Sequence, residues 1–402
     1  MQNDLSARQA QHKRPTPRIG GVAVIAGLFV SCVVFASEIQ TDLAMALLAG
    51  AVVFGVGLRE DLQRNMSPRA RLLAAFISAA LAIILSGAVV PRFGIPYVDG
   101  IFSLFGVGLL ITLLWSAGTC HALNLIDGLN GLASGYSMVA AAAYFAIGGL
   151  TGNSDVQLVS AILFVAVSGF FVLNWPYGRL FLGDAGAYAI GHALAWLGII
   201  LLVRDPMGAG LAAILILFWP VADTAFAIVR RKLLEKDTDQ PDRLHYHHLV
   251  VRSLRLLTNR KFSPEVLNPA ATLLLLPVIA APVLSGVIFW HRGIAAAAAL
   301  AVFGLLFLGT YVFSASAFKT RRFVYGELPT AVQEQLNGFQ VEISPMSGLH
   351  VSNSLSTYVT IIKRADRSTW NLVVKSGADG NYETYEGFVS DSDAWRFFCK
   401  LR

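Results

Sequence analysis

A succession of apolar runs, each about as long as a bilayer is thick, constrains the fold of this chain more than any other feature. They fall at about 20–37, 42–58, 70–90, 101–118, 131–150, 156–173, 185–203, 208–229, 268–290 and 293–313. An apolar stretch of roughly 17–25 residues spans the hydrocarbon core as a helix. Hydrophobic residues make up 55% of the 402, charged residues 14%, and the mean hydropathy is +0.61. That balance excludes an ordinary soluble domain. Several runs are short or rich in Ala and Gly, as packed helices of a polytopic bundle are. No secretory signal with a cleavage site precedes them. Cys32, Cys120 and Cys399 are too few and too scattered for a disulfide framework or a metal cluster. The expected fold is an all-α polytopic membrane protein of about ten transmembrane helices.

Lysine and arginine set the expected orientation. One set of loops holds Arg8, Lys13, Arg14, Arg18, Arg59, Arg64, Arg69, Arg71 and Arg179, then a crowd from Arg230 to Lys261. The opposite loops hold Arg92, Arg204 and Arg292. The first set is read as cytoplasmic. An even number of spans then places both termini on that side.

Polar residues gather at the ends of these runs. The stretch Cys120–Gly135, CHALNLIDGLNGLASG, carries Asn124, Asp127 and Asn130 between two apolar segments. Carboxylates and amides at membrane depth are costly unless partnered or facing water. Gly128, Gly131 and Gly135 let backbone turn tightly beside a ligand. GLRED puts Glu60 and Asp61 at the end of the second run. They read either as a solvated cap or as a pair that handles a proton or approaches a metal. The stretch NWPYGRLFLGDAGAYAIG holds Asn174, and it sets Asp184 between glycines just before a helix, a reasonable Mg²⁺ ligand. His192 beyond it is read as a packed histidine.

Asp223 lies at apolar depth in the eighth run and is a functional candidate by default. The longest loop on that side contains PDRLHYHHLV, with Arg243, His245, His247 and His248. Its spacing lacks the cysteines and separation of a structural zinc site. A phosphate-binding patch fits better. Acids that hold Mg²⁺, on one face with His and Arg that hold phosphates, suit phosphoryl transfer at a membrane surface.

HKRPTPRIGG, GLRED, HALNLIDGLNGLASG, NWPYGRLFLGDAGAYAIG and PDRLHYHH, in this order, resemble the polyprenyl-phosphate N-acetylhexosamine-1-phosphate transferases, over about residues 12–315. The R-L-H-Y-H-H form of the histidine motif looks closer to the branch starting O-antigen, enterobacterial common antigen and teichoic acid linkage units. The peptidoglycan branch, phospho-N-acetylmuramoyl-pentapeptide transferase, is the alternative. The resemblance implies transfer of a sugar 1-phosphate from a UDP-N-acetylhexosamine to undecaprenyl phosphate, releasing UMP, at a bacterial inner membrane. Mg²⁺ is the implied cofactor, with Mn²⁺ as a substitute. The implied residues are Asp184 for metal, with Glu60, Asp61 and Asp127 catalytic. Asn124, Asn130, Asn174, Arg243, His245, His247 and His248 would bind substrate. Glu60, Asn130 and His121 depart from the pattern, which usually has Asp, Asp and Asn there. The family also usually has a helix before the PTPRIGG turn.

The domains expected are a cytoplasmic segment 1–19, a transferase domain 20–315 and a small soluble α+β appendage 328–402. The appendage has a helix at 328–337, strands in STYVTIIKR and TWNLVVKSG, a turn at Asp379-Gly380 and a cap at Ser390-Asp391. A transporter is the reading from a different class. Against it, the polar clusters fall at helix ends and no internal repeat is seen. No nucleic-acid partner is expected. The choice of hexosamine, the polymer built and the oligomeric state (a homodimer among the options) stay open.

Overall fold

The structure, a computed structural model, describes residues 16–63, 66–104, 106–233, 244–258 and 262–325, together with five strands between 340 and 388. The chain divides into two compact units, 1–309 and 310–402.

The first unit is helical. In chain order it contains α1 (Gly20–Val34), α2 (Thr41–Leu48), α3 (Ala51–Gln63), α4 (Pro68–Ser86), α5 (Val107–Ile126), α6 (Leu132–Thr151) and α7 (Ser154–Asn174). Then come α8 (Gly183–Arg204), α9 (Gly210–Ile216), α10 (Phe218–Leu233), α11 (Tyr246–Leu257), α12 (Pro264–Ile288) and the start of α13 (Gly293–Tyr325), whose residues from Thr310 on belong to the second unit. Among the described residues eight helices are long and apolar enough to cross a membrane, counting α2 and α3 as one span. The α9–α10 pair makes a ninth if taken together. The run expected at 20–37 forms only the 15-residue α1, about 22 Å long at 1.5 Å per residue.

Helix α8 sits at the centre. Apolar on every side, it buries Trp196, Leu194, Leu197 and Ile200 completely, as a helix with no polar face must. Helix α2 gives way to α3 at Ala49–Gly50, where His192 of α8 presses against the glycine. Two carbonyls at that break find new donors. His192 Nε2 lies 2.9 Å from Ala46 O, and Ser78 Oγ donates to Ala49 O at 2.8 Å. His192 is thus a packed, partnered residue.

Two element boundaries correct the sequence reading. The helix expected at 101–118 runs instead from Val107 to Ile126, behind a short 3-10 turn at Asp99–Ser103. Asp99 takes the Phe93 and Gly94 N–H groups, and Gly106 turns the chain at φ +87°. The helix then continues through His121 and Asn124 even though apolarity has run out. The single span expected at 208–229 is two helices bent by 84°. Pro220 has no N–H to give the carbonyl four residues back, and Tyr136 Oη supplies that Ile216 carbonyl at 3.1 Å.

At the end of the bundle away from Asp184, Arg204 binds two carboxylates. Its Nη1 lies 2.7 Å from Asp155 Oδ1 and its Nε 3.1 Å from Asp42 Oδ2. Asp155 also accepts the Gln40 N–H at 3.2 Å. Asp205 accepts from Trp290 Nε1 and pairs with His291 Nε2, both at 2.7 Å. Arg92 donates to the Gly208 and Leu202 carbonyls.

In the second unit, β1 (Gln340–Ser344), β2 (Gly348–Ser352), β3 (Tyr358–Lys363), β4 (Trp370–Ser376) and β5 (Asn381–Phe388) form an antiparallel meander in sequence order. Strands β3 and β4 fall in the two alternating runs, paired Val359 to Val374 and Ile361 to Leu372. The helix expected at 328–337, the Asp379-Gly380 turn and the Ser390-Asp391 cap lie outside the described residues.

Candidate active site

The first turn of α8 organises the site. Gly183 precedes Asp184 at φ +77°, and a Cβ there would lie 2.6 Å from Asp61 Oδ2. Only glycine suits both constraints. The Asp61 carboxylate faces the start of α8 and accepts Asp184 N–H at 3.0 Å and Ala185 N–H at 2.9 Å. An acid from α3 thereby caps a helix 123 residues further on, where the positive end of the helix dipole favours it. The PTPRIGG turn lies alongside. Gly20 N and Gly21 N donate to Phe181 O and Leu182 O, and Phe181 N donates back to Pro17 O. Gly21 and Gly186 touch backbone to backbone, with no room for a Cβ on either.

Asp184 itself is held from two sides. Arg71 Nη1, from α4, lies 2.7 Å from its Oδ2. Asn124 Nδ2, in the last turn of α5, donates to its Oδ1 at 3.0 Å. One turn back on the same helix, His121 packs edge-on against Tyr188 of α8, with ring centroids 5.1 Å apart. Asp127 closes α5 as its C-cap residue, and among the described residues its carboxylate has no hydrogen bond. Burial pushes it up to about 8; repulsion from Asp184 and Asp61 adds to this, and Arg18 opposes it. Glu60 accepts the Met66 N–H at 2.8 Å.

Two of the expected binding residues hold backbone in this structure. Asn130 is 4% exposed and its Nδ2 donates to Pro176 O at 2.9 Å. Its own N–H donates to Asn268 Oδ1 at 2.8 Å, while Thr272 Oγ1 donates to its carbonyl. Asn174 takes the Gly131 N–H and donates to Leu180 O. Together these amides tie the DGLNG and NWPYG loops to each other and to α12. Amides buried this deeply need such partners.

The histidine loop comes against the same place. Asp223 of α10 is 2% exposed; its Oδ2 lies 2.9 Å from His245 Nδ1 and its Oδ1 accepts the Tyr246 N–H. The buried acid thus caps α11 and fixes one imidazole. His247 stacks on His245 at 5.8 Å and meets His248 at 4.2 Å. A Cβ on Gly128 would lie 2.4 Å from His247 Nε2, so the turn after Asp127 abuts this ring directly. Burial pushes the His247 imidazole well below its usual range, and His248 and His245 add to that. Neither ring nitrogen of His247 has a partner among the described residues. Arg243 lies outside the described residues.

Arg71 and His121 belong to this site although the sequence reading did not assign them to it. Their signal was present: Arg71 follows a Ser67-Pro68 helix start, and His121 stands one helical turn before Asn124. Among the described residues no three of His, Cys, Asp and Glu stand close enough to hold a metal ion by themselves. Mg²⁺ keeps water and substrate phosphates as ligands and takes only one or two carboxylates. Asp184, with hard oxygens at a helix start, fits that mode.

Helices crossing a membrane, with acids, an arginine and imidazoles converging at one end, define a membrane-embedded enzyme of phosphate chemistry. Comparison with known proteins agrees. The family model for glycosyl transferase family 4 matches residues 43–202. The probable undecaprenyl-phosphate N-acetylglucosaminyl 1-phosphate transferase of Bacillus subtilis is 30% identical, covering 61% of this chain and 68% of the relative. The decaprenyl-phosphate N-acetylglucosaminephosphotransferase of Mycobacterium tuberculosis is 30% identical over 60% and 67%. A phospho-N-acetylmuramoyl-pentapeptide-transferase of Rubrobacter xylanophilus is 30% identical over 56% and 73%. The chain belongs to glycosyl transferase family 4, the polyprenyl-phosphate N-acetylhexosamine-1-phosphate transferases.

Proposed function

We propose that this enzyme transfers N-acetylhexosamine 1-phosphate from a UDP-sugar to undecaprenyl or another polyprenyl phosphate, releasing UMP and starting a cell-envelope polysaccharide. The observation that carries the reading is the meeting of Asp61, Asn124, Asp127, Asp184 and His247, drawn from separate stretches, at one end of the bundle. The lysine and arginine of the loops at that end support a cytoplasmic orientation at a bacterial inner membrane.

In the reaction an oxygen of the lipid phosphate attacks the sugar-linked phosphorus. A new P–O bond forms, the P–O bond to the bridging oxygen breaks, and UMP leaves with the electron pair. Asp184 would hold Mg²⁺, which when bound offsets charge on the diphosphate. Asn124 keeps that carboxylate aimed, and Asp61 fixes the helix start that carries it. Asp127 faces the lipid phosphate and holds or takes its proton. His247 and His248, with Arg243, bind the diphosphate or sugar; His245, set by Asp223, positions that loop. Asn130 and Asn174 act by holding the two loops in register. Glu60 holds the Met66 N–H ahead of α4.

The names of the Bacillus and Mycobacterium relatives favour N-acetylglucosamine as the sugar. The test is UMP release by purified protein with undecaprenyl phosphate and Mg²⁺. Turnover with UDP-N-acetylglucosamine supports the proposal. Turnover only with UDP-N-acetylmuramoyl-pentapeptide moves the enzyme to the alternative branch, and no turnover with either overturns it. Selective zinc chelation should leave the rate unchanged.

A further inference from the structure

Arg71 and His121 leave something unfinished beside Asp184. Arg71 carries five N–H donors on a rigid plane. Nη1 binds Asp184 at 2.7 Å, yet its Nε is buried without a partner among the described residues. His121 Nε2 is likewise buried and unpartnered. Both belong to the shell around the first turns of α8, His121 through its contact with Tyr188. Buried nitrogens left open cost stability unless a ligand completes them. Meanwhile both oxygens of Asp184 are taken, Oδ2 by Arg71 and Oδ1 by Asn124. A divalent cation approaching Asp184 therefore meets a guanidinium already in its place.

We propose that Arg71 is an exchangeable counter-ion: it neutralises Asp184 while the site is empty, yields it to a divalent cation, and then, with His121 Nε2, takes an oxygen of a substrate phosphate. This rests on Asp184 as the cation ligand. Such an exchange makes cation and phosphate binding mutually reinforcing. The cation alone must displace Arg71 with nothing to receive it, whereas an arriving phosphate provides the guanidinium with a new partner. By linkage each ligand raises the affinity of the other by the same factor.

The experiment measures Mn²⁺ binding to the purified full chain by electron paramagnetic resonance, alone and with inorganic pyrophosphate or farnesyl phosphate. In the unaltered protein one of the two phosphates should tighten Mn²⁺ binding. Pyrophosphate alone doing so assigns the subsite to the donor diphosphate, and farnesyl phosphate alone assigns it to the lipid phosphate. Neither doing so overturns the proposal. Arg71→Gln should bind Mn²⁺ about tenfold more tightly without phosphate, within the usual range of coupling between sites, and should lose the phosphate effect. Arg71→Lys, which keeps charge but not the planar fork, should give a smaller rise, and serves if the glutamine variant does not fold. Unchanged Mn²⁺ affinity in these variants overturns the exchange. His121→Ala should weaken the phosphate effect severalfold and leave Mn²⁺ alone unaffected; an undiminished phosphate effect removes His121 from the subsite. Asp184→Asn separates the two readings: if it binds Mn²⁺ normally, the assignment of the cation to Asp184 fails, not the exchange alone.

Discussion

Arg204 at one end of the bundle and Arg71 at the other each meet a carboxylate at 2.7 Å, but their surroundings differ. Arg204 places Nε, Nη1 and Nη2 on Asp42 and Asp155, and Asp155 takes a backbone N–H as well. Arg92 and Asp205 nearby are satisfied in the same way. At the Arg71 end, by contrast, Arg71 Nε, His121 Nε2 and both nitrogens of His247 lack partners among the described residues. Complete hydrogen bonding is what a buried ion pair needs to hold a fold together. Groups left open beside charged neighbours mark the end where local stability has been given up for a ligand.

The sharpest way to break this contrast is Asp184→Asn. The amide keeps the shape and loses the charge that a hard cation requires. Metal stabilisation of a transition state is worth several kcal/mol, so UMP release should fall at least about a thousandfold. Thermal stability should fall less than in Arg204→Ala, because the amide oxygen can still accept from Arg71 and this pair is less buried than Arg204–Asp155. A variant turning over normally at low Mg²⁺ would remove Asp184 from its assigned role.

At the other end the expected loss is of stability. Arg204→Ala strands the buried Asp155 carboxylate, and breaking a buried pair costs about 3–5 kcal/mol. The midpoint of thermal unfolding in detergent should drop clearly, while kcat per folded molecule stays within about threefold of normal, since the change lies outside the site. A large fall in kcat without loss of stability would show that the two ends are not separate in function.

The division between the ends was legible in the sequence, because acids and amides interrupting apolar runs stand out and the loop arginines sort them by side. The partners were not. Asp61 reaches N–H groups of α8, and Asn130 meets Asn268 138 residues away; no local pattern encodes such pairings. Asp127 was legible as an acid, but its surroundings depend on how α3, α5 and α8 converge. The bend before α10 was signalled by Pro220, yet apolarity ran through it and suggested one span. Helix α5 outlasts its apolar stretch because Asp184 supplies a partner for Asn124. Asn130 and Asn174 entered as binding residues through the family resemblance, which does not encode the Pro176 and Leu180 carbonyls they hold.

The Glu60–Asp61 pair sharpens the comparison within the site end. Asp61 both caps α8 and stands next to Asp184, whereas Glu60 accepts the Met66 N–H. Asp61→Asn should lower kcat at least about a hundredfold, because Asp61 positions the first turn that carries Asp184 and a misplacement of about 1 Å costs that much. The cap loss should be about 1 kcal/mol or less, because an amide oxygen still accepts one N–H. Glu60→Asp should be nearly silent in kcat. Normal turnover in Asp61→Asn alongside a dead Glu60→Gln would reverse the assignment within the pair.

The smallest effect is in stability against pH, and it takes opposite signs at the two ends. Burial lifts the Asp127 carboxyl to about 8, with Asp184 and Asp61 adding repulsion against Arg18. The folded state then binds this proton more tightly than the unfolded chain, whose aspartate titrates near ~3.9. The stability contributed is therefore complete below about pH 4 and lost as pH rises through about 8. Asp205 runs the other way. Burial alone would raise it, but hydrogen bonds from His291, Trp290 and the Met207 N–H hold it below the usual carboxylate range. Its contribution is present above about pH 4 and disappears as the pH falls. In buffer with a chelator, Asp127→Asn should raise the unfolding midpoint at pH 8 by about 2–4 °C, the shift expected for about 1 kcal/mol. That gain should shrink toward pH 4. Asp205→Asn should lower the midpoint at pH 7 by a similar or smaller amount, and the penalty should shrink as the pH falls below about 4. Shifts of the same sign from both variants at pH 8 would mean that the two ends do not differ in how they treat a buried charge.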